Sequence, residues 1–442
     1  MGKTPDGVYM SDNVYTLLSV LNNKVVRRSI KSSSKKCQSC GKSHLEVALD
    51  DFIGRKPEKR PCIKGRLVSK VIKTAISNSG KAFGITREQM KRGLMDPYVR
   101  RGIANILVGV STFGVSKPQT SGAPFLVVWN YTNACNLKCK HCYQNADNPT
   151  PGELSTEQRK RIVDQLAQEN VVALAFSGGE PLMRRDFFEV AEYTENNSVY
   201  VSVATNGTLI TKAVAEKMRK VGVGYVDVSL DGANAETHDS FRGVPGCFNK
   251  TVRGIKNLVK EDVYTCLAVT ATKDNLHEIP DIIELGKKLK VKRITVFNFI
   301  PAGRAQAILD LDLSPKEREH LLELLYDELI KGEIETVSTA PQLARVCLTK
   351  SQEEKRDMLA PTHFCAYDLP GKVKYLADFI GGCGAGRIYC AFQPDGLVTP
   401  CVFIPIIVGD LRKQPLEEIW LNSPVLADLR NREKLKGRCG HC

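Results

Sequence analysis

Between Leu126 and Gly303, short apolar runs alternate with stretches in which apolar residues recur every three or four positions. That alternation marks repeated strand–helix units feeding a parallel sheet. Six strands are predicted, over Leu126–Thr132, Val171–Ser177, Val199–Ala204, Gly224–Leu230, Tyr264–Thr270 and Ile294–Ile300. They are rich in valine and aromatic residues and nearly continuous in apolar character, as strands covered on both faces are. Between them, Ser155 and Gln158 form a capping box ahead of Ile162, Val163 and Leu166, which share one helical face. Thr211 precedes Val214, Met218 and Val221 at helical spacing, and Gly222 supplies the stop signal. Six units are too few to close an eight-stranded barrel. The fold class is therefore α/β, an open or partial (β/α)6 barrel with its chemistry at the C-terminal strand ends.

Outside this core the pattern changes. Ser314-Pro315 opens a helix in which Glu317 completes a capping box and Leu321, Leu322, Leu325 and Leu329 form the buried side. Ile103–Val115 reads as a buried helix following Arg100-Arg101, and after about residue 370 helical periodicity gives way to a Gly- and Cys-rich text. Four regions follow: a basic N-terminal extension over 1–124, the barrel core over 125–305, a helical connector over 306–370, and a small ligand-organised domain over 371–442.

Charge sharpens the first boundary. Residues 1–124 hold 23 Lys and Arg against 8 Asp and Glu, whereas the whole chain of 442 residues holds 63 against 49. The remainder is close to neutral, so the net +14 belongs to the extension. Such a segment suits an anionic surface, substrate or partner, or simply a solvated face. The 15 cysteines, with no apolar signal segment in Met1–Tyr15, argue for thiols kept reduced as ligands in a cytoplasmic protein. No run reaches the roughly 18 apolar residues of a membrane span.

The chemistry concentrates in Cys135, Cys139 and Cys142, a C-x3-C-x2-C loop directly after the first predicted strand. Three thiolates leave one iron of a four-iron cube without a protein ligand. Structural zinc usually pairs two C-x2-C knuckles, which this loop does not. The spacing, Tyr143 after the last cysteine, and the strand-like Leu126-Val127-Val128-Trp129-Asn130 before it resemble the radical SAM enzyme family. The resemblance implies a [4Fe–4S] cluster on the three cysteines whose open iron chelates S-adenosylmethionine. Its reductive cleavage would yield methionine and a 5′-deoxyadenosyl radical that abstracts hydrogen from a substrate.

Other strand ends extend the resemblance. Gly178-Gly179-Glu180 ends the second strand and matches the family motif that contacts the methionyl amino group. Read from the residues alone it is a glycine turn open to backbone approach. Asn206 after the third strand, and Ser229, Asp231 and Arg242 after the fourth, resemble the pocket for the ribose or methionyl carboxylate. Phe299–Arg304 resembles the adenine-side turn, while His141 and His238 have no evident partner and read as bystanders. No catalytic residue beyond the cluster ligands is singled out.

Downstream, Cys383 and Cys401, with Pro394-Asp395-Gly396 as a tight hairpin turn between them, resemble the SPASM extension, which holds auxiliary [4Fe–4S] clusters. Cys439-x2-Cys442 resembles the start of its next block, but the pattern breaks off there. The resemblance implies an auxiliary cluster on Cys383, Cys401, Cys439 and Cys442, with Cys390 as a further candidate and structural zinc as the competing reading. Near the other end, Cys37-x2-Cys40 forms a zinc-type knuckle to which His44 or Cys62 would add.

The expected partners are an electron donor such as ferredoxin or flavodoxin and a peptide or protein substrate, with a tetrapyrrole as the alternative. A different class, a metal-stabilised nucleic-acid-binding protein, would use the basic segment and the cysteine knuckles. On the enzyme reading nucleic acid is not expected.

Overall fold

The computed structural model describes residues 18–34, 43–55, 62, 63, 65, 66, 69, 70, 72–74, 85–356 and 382–440. Its strands are β1 Leu126–Thr132, β2 Ala173–Gly178, β3 Tyr200–Thr205, β4 Val223–Ser229, β5 Thr265–Ala271, β6 Arg293–Asn298, β7 Glu335–Ser338, β8 Tyr389–Phe392, β9 Leu397–Thr399 and β10 Gly409–Asp410. They form one sheet in the order β10-β9-β8-β1-β2-β3-β4-β5-β6-β7. Pairing is parallel from β8 through β1 to β7. Only the β8–β9–β10 edge is antiparallel.

The six predicted strands fall within two residues of β1 to β6. Two parallel strands were not predicted. β7 lies inside the segment read as a helical connector, and β8 brings the C-terminal region into the sheet beside β1. Each is four residues long, too short to establish a period. β7 also carries Glu335, whose carboxylate is held by Arg293 of β6 through two hydrogen bonds of 2.9 Å. A charge fork of that kind substitutes for apolar patterning.

The main core lies on one face of the parallel strands, where Val127, Leu174, Val201, Val226, Leu267 and Ile294 are fully buried, whereas the alternate residues Val128, Ala175 and Ser202 on the other face are only half-buried. Beneath β1 an aromatic group of Trp129, Tyr131, Phe176 and Phe187 packs mostly edge to face at centroid separations of 5.1–6.4 Å. Arg159 is fully buried there, its guanidinium 4.4 Å from the Tyr131 ring and 2.6 Å from Asp186.

The surrounding helices begin where the sequence signals them. Thr156–Gln168 and Pro315–Lys331 carry complete capping boxes at Ser155 and Ser314, and Lys212–Lys220 is capped by Thr211. Between β8 and β9 the Pro394-Asp395-Gly396 turn closes as expected, with Gly396 at φ +89° and its N–H donating to Gln393 O.

The N-terminal helices form a smaller core of Leu45, Leu49, Phe52, Leu94 and Ala104. The helix Pro97–Phe113 fastens this layer to the barrel: Arg101 donates to Ala167 O and Asn197 O, both at 2.9 Å. Among the described residues no helix is long and apolar enough to cross a membrane.

Candidate cluster and cofactor site at the strand ends

β1 runs directly into the cysteine loop, and the ends of four other strands hold that loop in place. Glu153 accepts from Thr132 Oγ1 and from the N–H of Asn133 and Thr150, fixing its first turn. The end of β2 meets it backbone to backbone: Gly179 N–H donates to Thr132 O and Glu180 N–H to Ala134 O, both at 2.7 Å. A Cβ on Gly179 would lie 2.1 Å from Ala134 O, so only glycine permits this approach. Gly178 sits at φ +109°, a conformation that also favours glycine.

From the far side, Lys138 and Lys140 donate to the carbonyls of Arg242 and Phe241. Arg304 donates from its backbone to Cys142 O and from its side chain to Cys139 O and Ala146 O. Arg304, expected at an adenine-side turn, is thus a clamp on the loop.

Two of the three sulfurs meet a hydrogen-bond donor: Arg242 Nη1 is 3.5 Å from Cys139 Sγ, and Ala146 N–H is 3.4 Å from Cys142 Sγ. The thiols are unbridged, with Cys139 buried and the other two half-buried. Burial pushes the Cys135 thiol up to about 11 and Cys139 upward as well, against the pull of Leu137 and Arg242 respectively. The cost of ionising Cys135 and Cys139 fits a site where metal supplies the missing positive charge. Three thiols from one loop suit an iron–sulfur cube.

The remaining predicted residues gather at the same mouth, in roles the sequence only partly conveyed. Glu180 is fully buried, and both carboxylate oxygens are engaged, by Leu182 N–H, Thr205 Oγ1 and Asn206 N–H at 2.8–3.1 Å. It ties the end of β2 to the end of β3, so any contact with a cofactor amino group falls to the adjacent backbone. Asn206 reaches Asn136 of the cysteine loop through a 2.9 Å bond, and Thr208 donates to its other side-chain atom. Ser229 is half-buried at the end of β4.

Asp231, fully buried, is ion-paired with Arg242 and accepts from Thr270 N–H. Burial, the largest influence, would raise its carboxyl, but Arg242, His141, the Thr270 N–H and His238 together hold it below the usual range. The two histidines do have partners: His238 Nδ1 accepts from Asp231 N–H at 3.2 Å, and His141 stacks on Phe241 at 4.4 Å. Burial lowers both to about 4. Glu153 and Arg304 were not identified from sequence as loop holders: Glu153 belongs to no motif, and Arg304 ends a run that points to an adenine-side turn instead.

A second sulfur group lies close by. Phe403, two residues after half-buried Cys401, packs on Tyr143 at 5.2 Å. The Tyr143 hydroxyl reaches Asn130 Oδ1 and Ser177 Oγ at the ends of β1 and β2. Val402 N–H donates to Tyr389 Oη at 3.1 Å, and exposed Cys383 is near enough to Cys401 to raise its thiol further. Cys390 is instead fully buried in the main core beside Val127 of β1. Cys37, Cys40, the Cys439 thiol and Cys442 lie outside the described groups. Among the described residues, no three His, Cys, Asp or Glu side chains are arranged around a single metal ion.

A three-thiol loop at the mouth of a partial parallel barrel, with a second cysteine module stitched to its first strand, has the donor set of an iron–sulfur enzyme. The chain belongs to the radical SAM superfamily, whose model matches residues 129–286, and the iron-sulfur cluster-binding domain SPASM matches residues 383–442. Its cofactors are accordingly a [4Fe–4S] cluster, S-adenosylmethionine and an auxiliary iron–sulfur cluster.

Among its relatives, the AdoMet-dependent heme synthase of Methanosarcina barkeri is 39% identical over 324 residues, 73% of this chain and 89% of the relative. Mycofactocin maturase MftC of Mycolicibacterium smegmatis is 32% identical over 330 residues, 72% of this chain and 76% of the relative. The crystal structure of Streptococcus suis SuiB bound to precursor peptide SuiA shares the fold at TM-score 0.62 and 14% identity, covering 87% of this chain and 84% of that one.

Proposed function

We propose that this radical SAM enzyme modifies a carboxylate-bearing substrate, a tetrapyrrole in the first place, with Cys135, Cys139 and Cys142 as the ligands of its catalytic cluster. The observation that carries the ligand assignment is that one short loop, clamped by Glu153, Gly179 and Arg304, carries the three unbridged thiols at the strand ends, with donors at Cys139 and Cys142. When bound, the cluster and S-adenosylmethionine supply reductive cleavage of the sulfonium to methionine and a 5′-deoxyadenosyl radical.

The chain's own residues do the positioning. Gly178 and Gly179 present backbone to the methionyl end, while Ser229 lines the ribose side. Asp231 and Arg242 brace the loop from beneath, with Asn206 linking it to the end of β3. Cys383 and Cys401, joined by Cys439 and Cys442, hold the auxiliary cluster beside Tyr143. An electron enters from a ferredoxin or flavodoxin. The division into regions 1–124, 125–305, 306–370 and 371–442 is retained, with β7 and β8 as the strands by which the last two join the barrel sheet.

The tetrapyrrole reading rests on the 39% identity to a heme synthase and on the basic N-terminal region, whose charge suits porphyrin carboxylates. The SPASM resemblance points to a peptide or protein substrate, and that is the second reading.

The test is anaerobic reconstitution with reductant and S-adenosylmethionine, following 5′-deoxyadenosine by liquid chromatography. Wild type should form it and Cys139→Ala should not; persistence in the variant would overturn the ligand assignment. Adding iron porphyrins that carry propionate side chains should change the porphyrin's mass. If only an added acidic peptide is modified, the substrate assignment passes to the second reading.

A further inference from the structure

In the N-terminal layer, two ligand-type side chains meet from positions 18 residues apart. His44 opens the helix His44–Ile53, whose first turn is fixed by the Ser43–Glu46 capping box. Its imidazole is buried at 7% exposure, and Nε2 lies 3.3 Å from Cys62 Sγ. Nδ1 has no hydrogen-bond partner among the described residues, so within them the sulfur is the ring's polar anchor.

Cys62 is shaped for the same point. Gly65 N–H donates to its sulfur at 3.2 Å, closing a Cys-x2-Gly turn around it. A Cβ on Gly65 would lie 3.1 Å from His44 Cδ2 and 3.5 Å from Cys62 Sγ. The turn therefore reaches the ring because residue 65 carries no side chain. Backbone N–H donation to sulfur is what a thiolate ligand needs, because it spreads the sulfur's charge.

We propose that His44 and Cys62 are two ligands of a structural zinc ion in the N-terminal layer. A tetrahedral zinc with Zn–S of about 2.3 Å and Zn–N of about 2.0–2.1 Å sets its sulfur and nitrogen ligands about 3.5 Å apart, close to the separation here. Binding takes the lone pair of neutral Nε2 and the thiolate of Cys62, whose proton passes to solvent. Structural sites close with four protein ligands. The sequence sets Cys37 and Cys40 seven and four positions before His44, outside the described residues. An N–H···S hydrogen bond without metal would use the same geometry, and experiment separates the two.

The measurement uses the full chain, cluster-loaded anaerobically and dialysed against a weak chelator, with zinc and iron counted by plasma mass spectrometry. Wild type should carry about one zinc per chain, and Cys62→Ser and His44→Gln should fall below about a tenth of that with iron unchanged. X-ray absorption at the zinc edge of wild type should give a four-ligand shell containing both sulfur and imidazole. That reading stands even if the variants fail to fold. Wild type without stoichiometric zinc, zinc retained in both variants, or a shell lacking imidazole would each overturn the proposal.

Discussion

Arg242 illustrates how much one side chain does at this site. Its backbone carbonyl accepts from Lys138, its guanidinium pairs with Asp231, and the same group faces Cys139 Sγ. Removing it strands a carboxylate that is fully buried. Arg242→Gln should therefore destabilise the protein by about 3–5 kcal/mol. Thermal unfolding of the anaerobic protein checks this, and Arg242→Lys should recover only part of the loss because lysine cannot span both partners.

Asp186 carries a pH dependence of definite sign. Burial would raise its carboxyl, but the hydrogen bond from Arg184 and the charge of Arg159 win and lower it to about 2. A depressed carboxylate contributes stability that is present above its unfolded value of 3.8 and is lost as pH falls through about 2. Wild type should lose melting temperature more steeply than Asp186→Asn between pH 4 and 2, the curves converging at the acid end. Parallel curves would refute that role.

Such roles were hard to read from sequence. Cys135, Cys139 and Cys142 can be proposed as ligands from sequence because their spacing is local. Glu153 and Arg304 act across 20 and 165 residues, on partners no motif announces.

At the scale of elements, the packing of the β2 end on the cysteine loop decides whether three sulfurs face one cluster. Gly179→Ala would set a methyl 2.1 Å from Ala134 O, a contact relieved only by moving the loop. The variant should fold, because the clash lies at the strand end, yet hold substantially less iron after reconstitution. Iron content against far-UV circular dichroism separates those effects, and full iron content would show the loop free to yield. Elements with long periods or caps were readable beforehand, including β1 to β6 and the helices at Ser155, Thr211 and Ser314. β7 and β8 were not, since strands of four residues are specified by the edge they join rather than by their own pattern.

For the molecule as a whole, the decisive pairing is β8 on β1. It makes the C-terminal module a structural part of the barrel sheet, with Phe125 and Leu126 N–H both donating to Ile388 O and Trp420 Nε1 donating to Ser121 O. Replacing Cys390 by proline removes a donor that the parallel register turns toward β1, in the middle of that strand. The variant should be far more sensitive to limited proteolysis near residue 388 than wild type. Unchanged digestion would mean the barrel does not depend on its C-terminal partner.

The same pairing imposes a timetable on synthesis. Asn130 at the end of β1 bonds to Gln393, 263 residues later. At roughly 5–20 residues per second a ribosome takes roughly 13–50 seconds to cover that distance. Through that interval β1 waits without one neighbour and the cysteine loop already stands at its tip. Iron delivered early would meet a half-walled site, whereas iron delivered after release would meet one already flanked by Phe403 and Tyr389. The order in which metal and chain arrive is thus written into which strand lies beside which.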